Sequence, residues 1–313
     1  MEVGASPLLY ELLLQIGQGS FGKVYKAREI GGTGRLLAVK KFHSELSRSS
    51  GNNGIPPYML REVALLCRMK FFDHPNVIKL LDARATMVSK AFDLTVVLEY
   101  IEQDLSTYLS RAPPSGLSLD DIRAIMLQLM RGLDFLHVNM VVHRDIKPEN
   151  ILISSGGLVK IADFGLARMY TVNMALTPGV VTLWYRSPEV LLTSVYTSSV
   201  DVWSAGCIFA ELFLLKPLFK GSSEAQQLQM IFELVVFAAV NHSRFIGLPT
   251  EVDWPQHSPV AYSLSFGPKD PNPPLLASLN PHERDLLLQC LTFTPSRRIS
   301  AAGALAHPFF IQH

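Results

Sequence analysis

This chain has little that would suit an oxidising or a lipid environment. It carries three cysteines in 313 residues. Cys67, Cys207 and Cys290 are odd in number and scattered. They show neither metal-ligand spacing nor a disulfide framework, which points to a reducing compartment. No apolar run reaches the roughly eighteen residues that a membrane helix needs, so no membrane span is expected. The N-terminus carries acidic Glu2 and Glu11 and lacks a basic region followed by a long apolar run, so it does not read as a signal peptide. An excess of one charge is missing too. The formal net charge is +1, and neither nucleic acid nor a membrane surface is an expected partner. What the chain does have is apolar residue: 48% of it is hydrophobic, enough for a large core without covalent staples.

One polar stretch stands out. His143-Arg144-Asp145-Ile146-Lys147-Pro148-Glu149-Asn150 is followed by Asp163-Phe164-Gly165. Two carboxylates, a lysine and a carboxamide at this spacing are the groups that phosphoryl transfer needs. One carboxylate orients the attacking hydroxyl and accepts its proton, a role that fits Asp145. A second carboxylate and an amide hold magnesium against the phosphates, which fits Asp163 and Asn150. Lys147 offsets charge on the moving group.

Residues 10 to 42 alternate apolar and polar in short runs broken by glycine, and they read as three antiparallel strands. Within them lies Gly17-Gln18-Gly19-Ser20-Phe21-Gly22-Lys23-Val24. In a dinucleotide-binding fold the third glycine would open a helix, with an acidic residue about twenty positions on. Here strand-like alternation continues instead, and Lys40 stands at that distance, after Leu37-Ala38-Val39. Ser44 to Gly54 reads as a polar loop. Pro56-Pro57 suits the first turn of a helix, on which Ile55, Met59, Val63, Leu66 and Met69 fall near helical spacing. Val77 to Asp82 and Thr95 to Leu98 read as two further strands. Leu119 to His137 has helical periodicity, Val200 to Leu215 reads as a buried apolar helix, and another helix starts at Glu224. A proline-rich loop from Leu248 to Pro274 and a helical pair around Leu286 and Leu305 close the chain.

These motifs together resemble the protein kinases over nearly the whole chain. Val181-Thr182-Leu183-Trp184-Tyr185-Arg186, Gln103-Asp104-Leu105 and Gly206-Cys207-Ile208-Phe209-Ala210-Glu211 look like the cyclin-dependent kinases. Met174-Ala175-Leu176-Thr177-Pro178, Thr107-Tyr108-Leu109 and Gly132 to His137 are similar to the branch partnered by D-type cyclins, kinases four and six. The resemblance implies an α+β, two-lobed kinase fold over residues 1–312. A small antiparallel-sheet lobe would run to about residue 100, and a larger, mostly helical lobe would cover 101–313.

It also implies the site. Lys40 would reach the ATP phosphates and pair with Glu62. Ile16, Gly17, Gly19, Gly22, Val24, Ala38 and Leu152 would surround the nucleotide, with Leu98 at the back of the adenine pocket. Glu99 and Ile101 would offer backbone groups to adenine. Asp104 would bond ribose or cap the helix that starts at Leu105. Leu66, Leu80, His143 and Phe164 would stack as a spine. Asp201 would hold the catalytic-loop backbone, and Glu189 would pair with Arg298. Thr177 would be an activating phosphosite whose phosphate is clamped by Arg61, Arg144 and Arg168. ATP and Mg2+ are the implied cofactors. A D-type cyclin, Ser/Thr-Pro substrates such as retinoblastoma-like proteins, and cyclin-dependent kinase inhibitors are the implied partners. A cytoplasmic and nuclear location and a role at the G1/S step go with them. Lys147 two residues after Asp145 is the serine/threonine pattern rather than the tyrosine one. A scaffold that only binds partners would lack Lys40, Asp145, Asn150 or Asp163, and all four are present.

The chain departs from the family in several places. Ser187 replaces the usual alanine of Ala-Pro-Glu. Phe21 stands where relatives carry a regulatory tyrosine. Pro57-Tyr58-Met59-Leu60-Arg61-Glu62 is unlike the branch's cyclin-contacting helix. Residues 235 to 245 look inserted and are apolar enough to extend the preceding helix.

Overall fold

The computed structural model describes residues 8–19, 22–45, 64–65, 67–68, 73–88, 91–169, 183–192, 196–242 and 274–311. They divide into two compact units, one of Met1–Glu102 with Ala162–Ala167, the other of Gln103–Ile161 with Arg168–His313.

The first unit is an antiparallel sheet in the order β1-β2-β3-β5-β4. Its strands are β1 (Tyr10–Gly19), β2 (Gly22–Glu29), β3 (Leu36–Glu45), β4 (Leu80–Val88) and β5 (Ala91–Glu99). The alternation in the sequence becomes two faces, because successive strand residues point to opposite sides. Ala27, Leu37, Val39 and Val97 are fully buried on one face, with Leu8, Tyr10 and Leu81 packed against them. The register pairs Val24 with Lys40, Ala38 with Leu98 and Lys40 with Val96, so these residues share the opposite face. β3 takes in Ser44 and Glu45, which the sequence pattern assigns to the following loop. β4 starts at Leu80, three residues later than the sequence pattern suggests. Residues 64, 65, 67 and 68 are helical, and Leu65 is buried there.

The second unit is mostly helical. It contains β6 (Gln103–Asp104), α1 (Leu105–Ser110), α2 (Leu119–Val138), β7 (Val141–Val142), β8 (Ile151–Ile153), β9 (Val159–Ile161) and β10 (Arg168–Met169). Then follow α3 (Pro188–Leu191), α4 (Ser199–Leu214), α5 (Glu224–His242), α6 (Pro274–Ser278), α7 (Pro281–Cys290), α8 (Ala301–Leu305) and α9 (Pro308–Ile311). Ser118 caps α2 by accepting the Asp121 N–H at 3.0 Å, and Asp120 and Asp121 favour its positive N-terminal end. α4 is apolar almost all round because it is buried all round: Val202, Trp203, Ile208, Phe209 and Leu212 are among its enclosed side chains. Each such side chain contributes roughly 1.5–3 kcal/mol by leaving water. α5 runs on through Val235 to His242, so this part of the segment that looks inserted continues the preceding helix; residues 243–245 lie outside the described residues.

All three cysteines are free thiols, Cys67 exposed and Cys207 and Cys290 buried. Burial pushes the thiol of Cys207 well above its ordinary value and that of Cys290 up to about 12. Among the described residues no helix is long and apolar enough to cross a membrane.

Candidate active site

In the sheet unit, the β1–β2 hairpin pairs Gly19 with Gly22; Ser20 and Phe21 lie outside the described residues. The register slips between Gln15 and Gly17, which leaves Ile16 on a bulge with its side chain exposed. Two of the three motif glycines, Gly22 and Gly17, differ physically. Gly22 has φ +153°, and a Cβ there would meet the Lys41 carbonyl oxygen at 2.5 Å, so the fold itself excludes a side chain. A Cβ on Gly17 would meet nothing closer than Val24 Cβ at 3.8 Å. The fold leaves room there, and a glycine suits close approach of a ligand to the backbone. Val24, Ala38 and Leu98 are half-buried on the face that carries Lys40.

Lys40 is 8% exposed, and its Nζ lies 3.1 Å from Asp163 Oδ1. Two candidate site residues from distant parts of the sequence are thus joined within one unit. Glu62, the partner expected for Lys40, lies outside the described residues, as do Leu66, Arg61 and Thr177. Asp163 is left-handed, with φ 63° and ψ 79°, and its side chain keeps 37% of its surface open. The Gly165 N–H donates to the same Oδ1 at 3.4 Å, and Phe164 beside it is fully buried. Glu99 gives its N–H to the Lys79 carbonyl and accepts the Lys79 N–H on its carboxylate at 2.7 Å, which fixes the start of the connector toward Ile101.

In the helical unit, the loop that begins at His143 hangs on Asp201 of α4. Its Oδ2 accepts the His143 N–H at 2.9 Å and Oδ1 accepts the Arg144 N–H at 2.8 Å. His137 Nε2 adds a third contact at 2.9 Å, a residue the sequence reading passed over. Burial alone would raise the Asp201 carboxyl; the hydrogen bond and charge of His137, the charge of His143 and the Arg144 N–H outweigh it and hold the carboxyl below its ordinary range. The loop needs this anchor because Arg144 is left-handed at φ 73°, a conformation costing about 1–3 kcal/mol outside glycine.

Beyond Arg144, Asp145 is fixed from several sides. Its N–H donates to His143 Nδ1 at 3.3 Å. Its Oδ2 receives Lys147 Nζ at 2.9 Å and Asn150 Nδ2 at 2.9 Å, and Asn150 Nδ2 also reaches the Asp145 carbonyl at 2.7 Å. Asp145 Oδ1 is buried and has no hydrogen-bond partner. The three residues read from one stretch of sequence therefore meet, and they leave one carboxylate oxygen without a hydrogen-bond partner. With the Asn150 nitrogen engaged, its oxygen is the atom suited to a cation.

Other expected positions also come together. β6 and β8 place Asp104 opposite Leu152. Asp104 caps α1, accepting the Thr107 N–H at 2.8 Å and the Thr107 hydroxyl at 2.9 Å, so of the two roles left open for it the cap is present. The Arg144 guanidinium lies 5.5 Å from the centre of the Tyr196 ring, a contact that no motif announced. Arg168, of which the backbone is described, pairs with Val142 just before the loop. Glu189 and Arg298 form the expected buried pair at 2.6 Å.

No cluster of three or more His, Cys, Asp or Glu capable of holding a metal is present among the described residues. Magnesium needs no such cage: it takes one or two carboxylates with hard oxygen donors and fills its shell with phosphate and water. The Asp163 carboxylate and Asn150 carboxamide oxygen are of that kind.

A model of the protein kinase domain matches residues 10–310. The chain is 50% identical over 304 residues to the cyclin-dependent kinase 4 of Xenopus laevis, covering 96% of this chain and 90% of that one. It is 50% identical over 303 residues to the cyclin-dependent kinase 4 of Ovis aries, covering 96% and 95%. A cyclin-dependent kinase 4 homolog of Caenorhabditis elegans is 39% identical over 312 residues, covering 98% and 72%. The chain belongs to the protein kinase family.

Proposed function

We propose that this protein kinase is a cyclin-dependent serine/threonine kinase of the cell cycle, which transfers the γ-phosphoryl group of ATP to Ser or Thr followed by Pro and acts at the G1/S step. The observation that carries the reading is the state of Asp145. Its Oδ2 is held by Lys147 and Asn150 while Oδ1 has no partner, the arrangement of a general base awaiting a substrate hydroxyl.

The other roles follow from the residues around it. Lys147 would offset charge on the transferred group. Lys40, which lies beside Asp163, would bind phosphate oxygens. Asp163 and Asn150 would hold Mg2+, and magnesium bound with ATP supplies the positive charge that phosphoryl transfer requires. Gly17, Gly19, Gly22, Ile16, Val24, Ala38 and Leu152 would surround the nucleotide, with Glu99, Ile101 and Asp104 along the connector.

The finer reading rests on the resemblance to the D-type branch and on relatives named cyclin-dependent kinase 4. It assigns the chain a D-type cyclin, cyclin-dependent kinase inhibitors and retinoblastoma-like substrates in cytoplasm and nucleus. Glu62 would meet Lys40 when the cyclin moves its helix inward. Proline would follow the target residue because the family turns the carbonyl at the position of Val180 away from the peptide. A following N–H would go unpaired at a cost of about 1–3 kcal/mol, and proline has no N–H to lose.

The test is a peptide kinase assay on purified chain, with and without a D-type cyclin, with and without Mg2+. Turnover should need both and should be faster on a Ser-Pro than on a Ser-Ala peptide. Equal rates on the two peptides would remove the proline reading. Absence of magnesium-dependent turnover with D-type cyclin would remove the kinase reading.

A further inference from the structure

Two buried polar atoms of the helical unit have no hydrogen-bond partner and belong to residues that border one crevice. Asp145 Oδ1 is one and Ser187 Oγ is the other. Asp145 and Ser187 line a small cavity with Lys147, Tyr185 and Ser204. Ser187 is 1% exposed, so bulk solvent does not reach its hydroxyl. A buried hydroxyl or carboxylate oxygen left unpaired is costly, and proteins commonly resolve such pairs with internal water. The cavity measures about 30 Å³, and a water needs at least roughly 10–15 Å³ and two or more polar partners. The crevice has that volume, and residues carrying the two unpartnered atoms are part of its lining.

We infer that this crevice holds an ordered water that accepts from the Ser187 hydroxyl and donates to Asp145 Oδ1, which makes Ser187 a positioning residue for the proton-accepting carboxylate. The inference rests on the role proposed for Asp145. A carboxylate oxygen can accept two hydrogen bonds, so the water occupies one site and leaves the other for the substrate hydroxyl. Oδ2 is fixed by Lys147 and Asn150; the water would fix the other oxygen and stop the carboxylate rocking about its bond to Cβ. The chain supplies the hydroxyl at a position where the family's usual residue is alanine, which cannot anchor a water. Ser204 does not satisfy Ser187: no hydrogen bond joins the two hydroxyls, and the Ser204 proton goes to the Tyr185 carbonyl at 2.7 Å or the Val200 carbonyl at 3.1 Å.

The experiment pairs crystallography with kinetics. A high-resolution crystal structure of the chain should show a water within hydrogen-bond distance of both Ser187 Oγ and Asp145 Oδ1, and Ser187→Ala should lose it. In the cyclin-bound kinase, Ser187→Ala should lower kcat about three- to tenfold, the worth of one net hydrogen bond, with KM for ATP and peptide and the melting temperature unchanged. Ser187→Thr, which keeps the hydroxyl, should recover most of the lost kcat. A dry crevice in the parent, or a Ser187→Ala enzyme with the parent's kcat, overturns the inference. If the parent has no kinase activity, the role of Asp145 fails instead, and the crystal structures still decide whether the water is there.

Discussion

Arg298 grips Glu189 with both arms of its guanidinium: Nη1 donates to Oε1 at 2.6 Å and Nη2 to Oε2 at 2.9 Å, across 109 residues of sequence. Both side chains are almost fully buried. Arg298 also donates to the carbonyls of Thr292, Ser199 and Phe293. Removing either partner leaves a buried charge unmatched, and such losses run to about 3–5 kcal/mol. Arg298→Ala should cost more than Glu189→Ala, because it also strips the carbonyls of their donor. Denaturant unfolding of the two variants checks this; a loss under about 1 kcal/mol in both would contradict it.

Asp201 offers a second test, with a pH signature. Asp201→Asn has one oxygen where the loop and His137 need two, so it should lose about 1–3 kcal/mol and most activity. Its carboxyl is held below its ordinary 3.8 in the folded chain. The contribution it makes is therefore complete above that value and is lost as pH falls below it, through the lower folded value. Melting temperatures across acid pH should drop more steeply for the parent than for Asp201→Asn below about pH 4. Parallel curves would refute the assignment.

The two glycines should separate fold from ligand. Gly22→Ala drives a Cβ against the Lys41 carbonyl at a positive φ and should destabilise by about 1 kcal/mol or more. Gly17→Ala has room, so its stability should stay within about 0.5 kcal/mol of the parent. Its KM for ATP should nevertheless rise. Thermal melts beside ATP titrations read both; an unchanged ATP KM would count against Gly17 as a nucleotide contact.

The phosphosite is testable even though Thr177 and Arg61 lie outside the described residues. A phosphate there adds about −1.5 to −2 charge and three acceptor oxygens for Arg61, Arg144 and Arg168. Thr177→Ala should lower cyclin-bound activity at least about tenfold while ATP binding survives, the loss expected when such a charge-assisted tie is removed. Full activity in the variant would sink the mechanism.

Deleting residues 235–245 should leave a folded, soluble kinase. The deletion keeps Leu228, Ile231, Phe232 and Leu234, buried apolar side chains of α5, and changes in loop length cost little in closure entropy. Soluble yield and melting temperature decide it, and a chain recovered only as aggregate would show that the helix end belongs to the core.

What could be read in advance follows how local the signal is. Asp145, Lys147 and Asn150 lie in one short run and meet as that run implies. Asp201 and the Glu189–Arg298 pair were legible through the family resemblance, since nothing in the bare spacing links residues so far apart. His137 on Asp201 and Tyr196 beneath Arg144 were missed, because a histidine late in a helix and a tyrosine in a loop carry no signal of their own. A buried carboxylate needing more donors than one loop supplies was the available hint for His137. The junction between the units was also less legible. The resemblance implies a change of lobe near residue 100, and the grouping of Ala162–Ala167 with the sheet is set by packing rather than by chain order.

The unequal burial of the three thiols gives the protein a single chemical address. Alkylation requires a thiolate within reach of the reagent. Cys207 and Cys290 are enclosed, with raised proton affinity, whereas Cys67 is exposed in the helical stretch that follows Glu62. A maleimide dye added to the native chain would attach there alone, without any engineered cysteine. Fluorescence from that dye would report the surroundings of the segment that a cyclin is expected to move.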